Sequence, residues 1–287
     1  MRLPAFFLLM SLTSLAWGDL DHRDLLDQRR MAKDLAGMKV CLEDWEADCP
    51  DDVEMLENFG DFLNAGGAQA QPSGKLRWKA VRYYKDAIRL SPARLDLRLK
   101  LVTVYRDLWA FDAQYDSLAQ TLSYADKHYR KLRWNGGGPL PERPSRILTA
   151  YLQKTVNDHL ARRNPDGTER AMRLARLAVT FFPKHHNGLN SIAASFAQRG
   201  DWEHALKYLL LSNQIDPHDP VVQRNIGNVL TVLGKGEEAE VFYKKAVDEE
   251  EAAKTGEENF QKASYKEESQ IRIPLSPQDY RDTAFGR

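Results

Sequence analysis

The sequence predicts an all-α protein built from antiparallel helix-turn-helix pairs, stacked one on the next as an α-solenoid. Three observations carry that expectation. Ala171, Ala205 and Ala239 follow one another at a constant 34-residue step. Pro183 with Pro217, Gly200 with Gly234, and Ile192 with Ile226 keep the same step. Within each interval the apolar and small residues return at three- and four-residue spacing, the period of one helix face. A fixed period of this length marks units that cannot bury their apolar faces alone and must stack on their neighbours.

The pattern is fullest over residues 186–219. Leu189, Ile192, Ala193 and Phe196 lie on a first helix, Gly200 at the turn, Ala205, Leu209 and Ser212 on a second helix, and Ile215 and Pro217 at the exit. Residues 220–253 repeat it with Ile226, Gly227, Leu230, Gly234, Ala239, Tyr243 and Ala246, but without the closing proline, as suits a terminal repeat. On these residues the chain resembles the tetratricopeptide repeat family. The resemblance implies tetratricopeptide-like hairpins whose first helices line a concave groove for a peptide segment or protein partner. Small residues at Ala193, Gly227, Ala205 and Ala239 let backbones approach, and Phe196, Leu209, Leu230 and Tyr243 fill the space beside them. The prolines stop each second helix.

Upstream, Ala80, Tyr84, Ala87, Leu90 and Pro92 reproduce a second helix, with the same twelve-residue step from alanine to proline. Its first helix is expected over 53–64, around Phe59, Gly60 and Leu63, followed by a glycine, glutamine and proline loop over 66–74. Residues 95–109 and 112–133 form a further expected pair. Residues 151–162 lead into 169–181 through the turn Asn164-Pro165-Asp166-Gly167. Residues 134–144 hold three glycines and three prolines. They read as a loop between a degenerate repeat region, 19–133, and a repeat block, 145–253. The interval from Ala80 to Ala171 is not a multiple of the 34-residue step, so an insertion separates the blocks. Residues 254–287 are a polar tail, with a short helix over 257–266 left open.

Arg2, an apolar run and Ala16-Trp17-Gly18 predict a signal peptide over residues 1–18, cleaved after Gly18. An uncleaved anchor is disfavoured, since about 15 apolar residues fall short of the roughly 20 that span a bilayer. The expectation is an exported protein, periplasmic or secreted, that does not span the membrane. Cys41 and Cys49 are the only cysteines, and in that compartment a disulfide between them is expected. Eight residues of unbroken helix hold such a pair about 12 Å apart, beyond the roughly 4.4 to 6.8 Å of a disulfide. Bonding therefore requires the helix to end between them, and Pro50-Asp51-Asp52 reads as a fresh helix start. Two free thiols are the alternative.

Forty-one basic and 41 acidic residues leave no net charge, so no nucleic acid partner is expected. No nucleophile elbow and no His-Glu-x-x-His pattern is present. Gly234-Lys235-Gly236 has a phosphate-loop fragment's look, but Gly227 is misplaced for one. His185-His186 reads as a surface loop. No metal, no cofactor and no enzymatic activity are expected. The resemblance instead carries groove positions onto Asn187, Asn190 and Gln198 in one repeat and Arg224, Asn225 and Asn228 in the next, with Asn157 one period before Ser191. Amides donate and accept, and guanidinium groups grip carboxylates. Residues 41–62 hold nine acids and no base, whereas 127–184 hold thirteen bases and four acids. Such blocks pair within a fold or face partners. The expected function is an exported scaffold that binds a peptide segment or protein. The alternatives are a self-assembling module forming homo-oligomers, an anionic-ligand sensor, or an enzyme with an unrecognised site.

Overall fold

The computed structural model describes residues 21–69 and 71–254. The expected signal peptide, the tail beyond Lys254 and the possible helix over 257–266 lie outside the described residues. The chain forms two compact units, Met1–Pro144 and Ser145–Arg287. Among the described residues the regular structure is helical. The first unit holds α1 (His22–Met31), α2 (Leu35–Asp48), α3 (Val53–Asn64), α4 (Gly74–Leu90), α5 (Leu95–Asp107) and α6 (Phe111–His128). Then follow α7 (Pro144–Leu160), α8 (Pro165–Phe181), α9 (His186–Gln198), α10 (Trp202–Ile215), α11 (Pro220–Val232) and α12 (Gly236–Lys254).

Most starts are written locally. Asp52, Ser73, Asn164, Asp201 and Asp219 each accept a backbone N–H of the first helical turn, satisfying a donor that has no partner within the helix. Pro165 and Pro220 open α8 and α11, where their missing N–H costs nothing. Pro144 likewise opens α7. That start and the Asn164 cap explain why α7 and α8 begin earlier than the apolar period alone indicates. The expected 112–133 helix ends instead at His128, and Tyr129–Lys131 continues as a short 3-10 turn.

In the first unit α1 packs on α2, α3 on α4 and α5 on α6, and α2 meets α3 as α4 meets α5. In the second, α9 packs on α8 and α10, and α11 on α10 and α12. The 34-residue step is a packing register: Ala171 and Ala205 are 0% exposed and Ala239 2%. Leu26, Leu42, Met55, Tyr84 and Leu97 centre one core. Leu152, Met172, Leu174 and Ile226 are among the fully buried residues of the second unit.

The hairpin turns carry a second register. Gly200 and Gly234 adopt φ of 77° and 75°. The following residues, Asp201 and Lys235, donate back to Phe196 and Leu230, closing the helix with a left-handed cap. Lys33 and Trp109, at φ 54° and 60°, hold the same place, with Asp34 donating to Arg29 and Ala110 to Tyr105. The α5–α6 hairpin is also tied at its open end. Leu95 donates to the Arg133 carbonyl at 3.0 Å and Arg133 to that of Ala93 at 2.8 Å.

The expected disulfide is corrected. Helix α2 runs unbroken through Cys41 to Asp48, and Cys49 is its C-cap, donating to the Trp45 carbonyl at 2.8 Å. The helix therefore holds the two cysteines about 12 Å apart. Both are free thiols, Cys41 buried and Cys49 exposed. The Cys41 thiol donates to the His22 carbonyl at 3.4 Å, and burial, aided by Asp44, pushes its pKa up.

Candidate functional site

In the second unit the first helices α7, α9 and α11 carry a row of amides and hydroxyls. The Gln153 amide on α7 donates to Asn157 at 2.9 Å and to Ser191 on α9 at 3.1 Å. Asn225 on α11 donates to Asn190 on α9 at 3.0 Å. Ser191 in turn donates to the Asn187 carbonyl at 2.8 Å. Three helices that share the 34-residue register are thus bridged by neutral polar groups. Asn157 is exposed and Gln153, Asn187, Asn190 and Asn225 are half-buried. Such groups retain donor and acceptor capacity for a further backbone strand.

The structure divides the seven groove residues expected from the sequence. It brings the side chains of Asn157, Asn190 and Asn225 onto this row, and Asn187 joins it through its backbone carbonyl. Gln198 instead ties α9 to the α7–α8 turn: its oxygen accepts from Thr168 at 2.6 Å and its nitrogen donates to Leu160 at 3.3 Å. Arg224 reaches Glu250 on α12 at 2.6 Å, and Asn228 accepts from Tyr243 on the same helix at 3.0 Å. Those three have partners inside their own hairpins or at the neighbouring turn. Gln153 belongs to the row although the repeat register did not select it.

The first unit holds a cleft of about 690 Å³. Its walls come from α1, α2, α3 and α5 and from the turn at Asn135 and Gly136. Arg23 and Arg30 on α1 flank Leu26 at helical spacing, and Glu54, Glu57, Asn58 and Asp61 share one face of α3. Arg23 is hydrogen-bonded to Glu54, Arg30 to Asn58 at 3.0 Å, and Lys100 on α5 to Glu57 at 2.7 Å and Asp61 at 2.6 Å. Leu26, Met38 and Phe62 line it with apolar surface. Beside the cleft Arg94, 3% exposed, is held by Glu57 at 2.5 Å and by Asp96 at 2.6 Å.

Charge in this cleft is compensated group by group. Asp96 and Glu57 hold the Arg94 guanidinium above its usual pKa against burial. Burial opposes the Lys100 ammonium, but Asp61 and Glu57 outweigh it and raise its pKa. Burial also raises Glu54, with Arg23 opposing. Burial and Asp61, which accepts from the Tyr84 hydroxyl at 2.5 Å, push that phenol well above its ordinary value. The acidic stretch of the sequence is thus largely met inside its own unit. Glu46 accepts from Tyr83 at 2.9 Å, Asp48 pairs with His22 at 2.9 Å, and Asp52 accepts from Trp45 at 3.2 Å.

His185 and His186 lie where α9 begins. His186 stands 3.3 Å from Asp219 and 3.6 Å from Asp216, and those carboxylates raise its pKa. Burial, then the neighbouring His186, pushes His185 down to about 4. Among the described residues no group of three or more His, Cys, Asp or Glu side chains is arranged to hold a metal ion. Lys235, in the glycine-lysine-glycine segment, stands 3.7 Å from Glu238, and its neighbour Gly234 is a turn residue.

No family model matches the chain, and no curated protein matches it. Among solved structures it is similar to a double mutant of MamA RS-1, at 12% identity over 70% of this chain and 96% of that one, with a TM-score of 0.41. MamA from Desulfovibrio magneticus RS-1 gives 12% identity over 70% and 96%, with a TM-score of 0.40. YrrB, described as a TPR protein with an unusual peptide-binding site, gives 14% over 72% and 91%, at 0.40. The chain is an all-α array of helical hairpins, and its own 34-residue packing and turn registers carry that assignment.

Proposed function

We propose that this protein is an exported scaffold that holds an extended peptide segment of a partner protein along α7, α9 and α11. The observation that carries the reading is the polar row from Asn157 and Gln153 through Ser191 to Asn190 and Asn225. It crosses three successive first helices, and amides recognise peptide backbone independently of side-chain identity. Peptides selected from a random display library on the full chain supply the test. Their affinity is expected to fall about tenfold when Asn190 and Asn225 are both changed to alanine, the size of two lost hydrogen bonds. Equal affinity in the double variant overturns the reading.

The export reading rests on residues 1–18, and fractionation of cells expressing the full chain tests it. Recovery of the uncleaved chain in the cytoplasm overturns it. Among the described residues no helix is long and apolar enough to cross a membrane. Self-assembly is a second reading, favoured by Val221, Val232, Val241 and Val247 of the last described hairpin, 46 to 57% exposed. Light scattering that returns a monomer at every concentration removes it.

A further inference from the structure

Helix α4 carries six lysines and arginines against one acid. It buries Ala80, Val81, Tyr83, Tyr84 and Ala87. The exposed side presents Lys75, Lys79, Arg82, Lys85 and Arg89 at steps of three and four residues. At 1.5 Å per residue this row is about 21 Å long. Trp78 stands within it, 52% exposed, its ring set edge-on against Tyr105 at 6.0 Å between centroids.

The cations of the row are only loosely engaged. Arg82 lies 3.8 Å from Glu46 with its guanidinium 5.0 Å over the Tyr83 ring, and Arg89 lies 3.8 Å from both Asp51 and Asp86. These side chains are 64 to 69% exposed, and exposed pairs at that distance contribute close to nothing. Lys85 sits 5.9 Å over the Tyr105 ring. A rigid helix therefore displays a line of available positive charge with an aromatic plate seated in it.

The neighbouring surface selects the shape of the ligand. Glu43, Asp44, Asp48 and Asp51 are exposed on and just after α2, and the Arg82–Glu46 and Arg89–Asp51 contacts place that edge directly beside α4. A broad anionic plane, such as a lipid bilayer, laid on the row would also press against those carboxylates. A single narrow acidic strand avoids them. The geometry points to the outer face of α4 as a docking site for an acidic peptide segment of a partner protein. The carboxylates of that segment pair with Lys79, Arg82 and Lys85, and an apolar side chain packs on Trp78. This face is separate from the amide row of the second unit and does not depend on it.

Fluorescence anisotropy of a labelled glutamate peptide with one central phenylalanine, titrated with the full-length chain at about 50 mM salt, tests the site. Saturable binding is expected, weakened about tenfold or more by Lys79→Glu with Arg82→Glu and left unchanged by Lys207→Glu on α10. Trp78→Ala is expected to weaken that peptide about threefold while leaving an all-glutamate peptide unaffected, the aromatic contribution being separate from charge. The charge-reversed side chains are exposed, so those variants are expected to keep the wild-type melting temperature, which circular dichroism checks. Trp78→Ala also loses the Tyr105 contact and is compared at a temperature where circular dichroism shows it folded. Absence of binding by the wild type, equal binding by the charge-reversed variant, or equally tight binding of phosphatidylglycerol vesicles each overturns the proposal.

Discussion

Gly227 lies beneath the ring of Tyr243. A β-carbon on Gly227 would stand 2.6 Å from the ring, and the Tyr243 hydroxyl donates to the adjacent Asn228. Gly60 and Tyr84 repeat this in the first unit, at 2.8 Å, with the hydroxyl on Asp61. The tyrosine follows its glycine at a sixteen-residue step in the second unit and a twenty-four-residue step in the first. The difference of eight measures the insertion between α3 and α4. Gly227→Ala is expected to destabilise the fold by about 1 to 3 kcal/mol through overpacking. Denaturant unfolding of the variant measures it.

Arg94 is the residue on which Glu57 and Asp96 both depend. Arg94→Met leaves two buried carboxylates with one cation, Lys100, which of the two reaches only Glu57. The expected loss is about 3 to 5 kcal/mol. The variant Lys100→Met, at a site one-third exposed, is expected to lose less. Urea midpoints of the two variants give the comparison.

Acid is expected to loosen the second unit. Burial, then Arg162 and Arg170, hold His159 down to about 4, and burial holds His185 there too. The unfolded chain takes up these protons near pH 6.5 while the fold refuses them until about pH 4. Stability is therefore full above pH 6.5 and falls as pH drops through that window. His186 has the opposite sign: raised by Asp219 and Asp216, it contributes fully below the ordinary histidine value and loses that contribution as pH rises through its own. For His159, 3% exposed, the effect is on the order of 3 kcal/mol. The gap between melting curves at pH 7 and pH 4.5 is expected to narrow in His159→Gln, with His185 keeping the remainder.

Lys33 and Arg163 adopt φ of 54° and 50°, a region that costs a side-chain-bearing residue roughly 1 to 2 kcal/mol. Part of the relief from glycine is returned as unfolded-chain entropy. Lys33→Gly and Arg163→Gly are each expected to stabilise by about 0.5 kcal/mol, read as a higher melting temperature.

Gln198→Ala separates packing from binding. Because its amide serves Thr168 and Leu160, the variant is expected to lose about 1 to 2 kcal/mol of stability while peptides selected on the amide row keep their affinity. Unfolding and peptide titration on the same preparation give both numbers.

The second unit was legible because Ala171, Ala205 and Ala239 are packing contacts, and Gly200 and Gly234 are left-handed turns. Each residue type was fixed by a local requirement that returns once per repeat. The first unit hides the same plan, since Lys33 and Trp109 stand where glycine stands later and eight residues interrupt α3 and α4. Its cleft was illegible for another reason: Glu54 meets Arg23 and Glu57 meets Lys100 across 31 and 43 residues, and no periodicity encodes such pairings. Among the expected groove residues, register placed each on a first helix of its hairpin but did not give the direction of its side chain. Glu250 draws Arg224 to α12, and Thr168 fixes Gln198.

The two hydrogen bonds between Arg133 and the segment 93–95 have a kinetic meaning. A stack of hairpins frays at free ends, and a hairpin whose two loose strands are buttoned together has no free end to start from. Its helices must part as one event or not at all. The amides of Leu95 and Arg133 should therefore exchange with solvent deuterium at a common rate, set by the opening of the whole α5–α6 loop of chain.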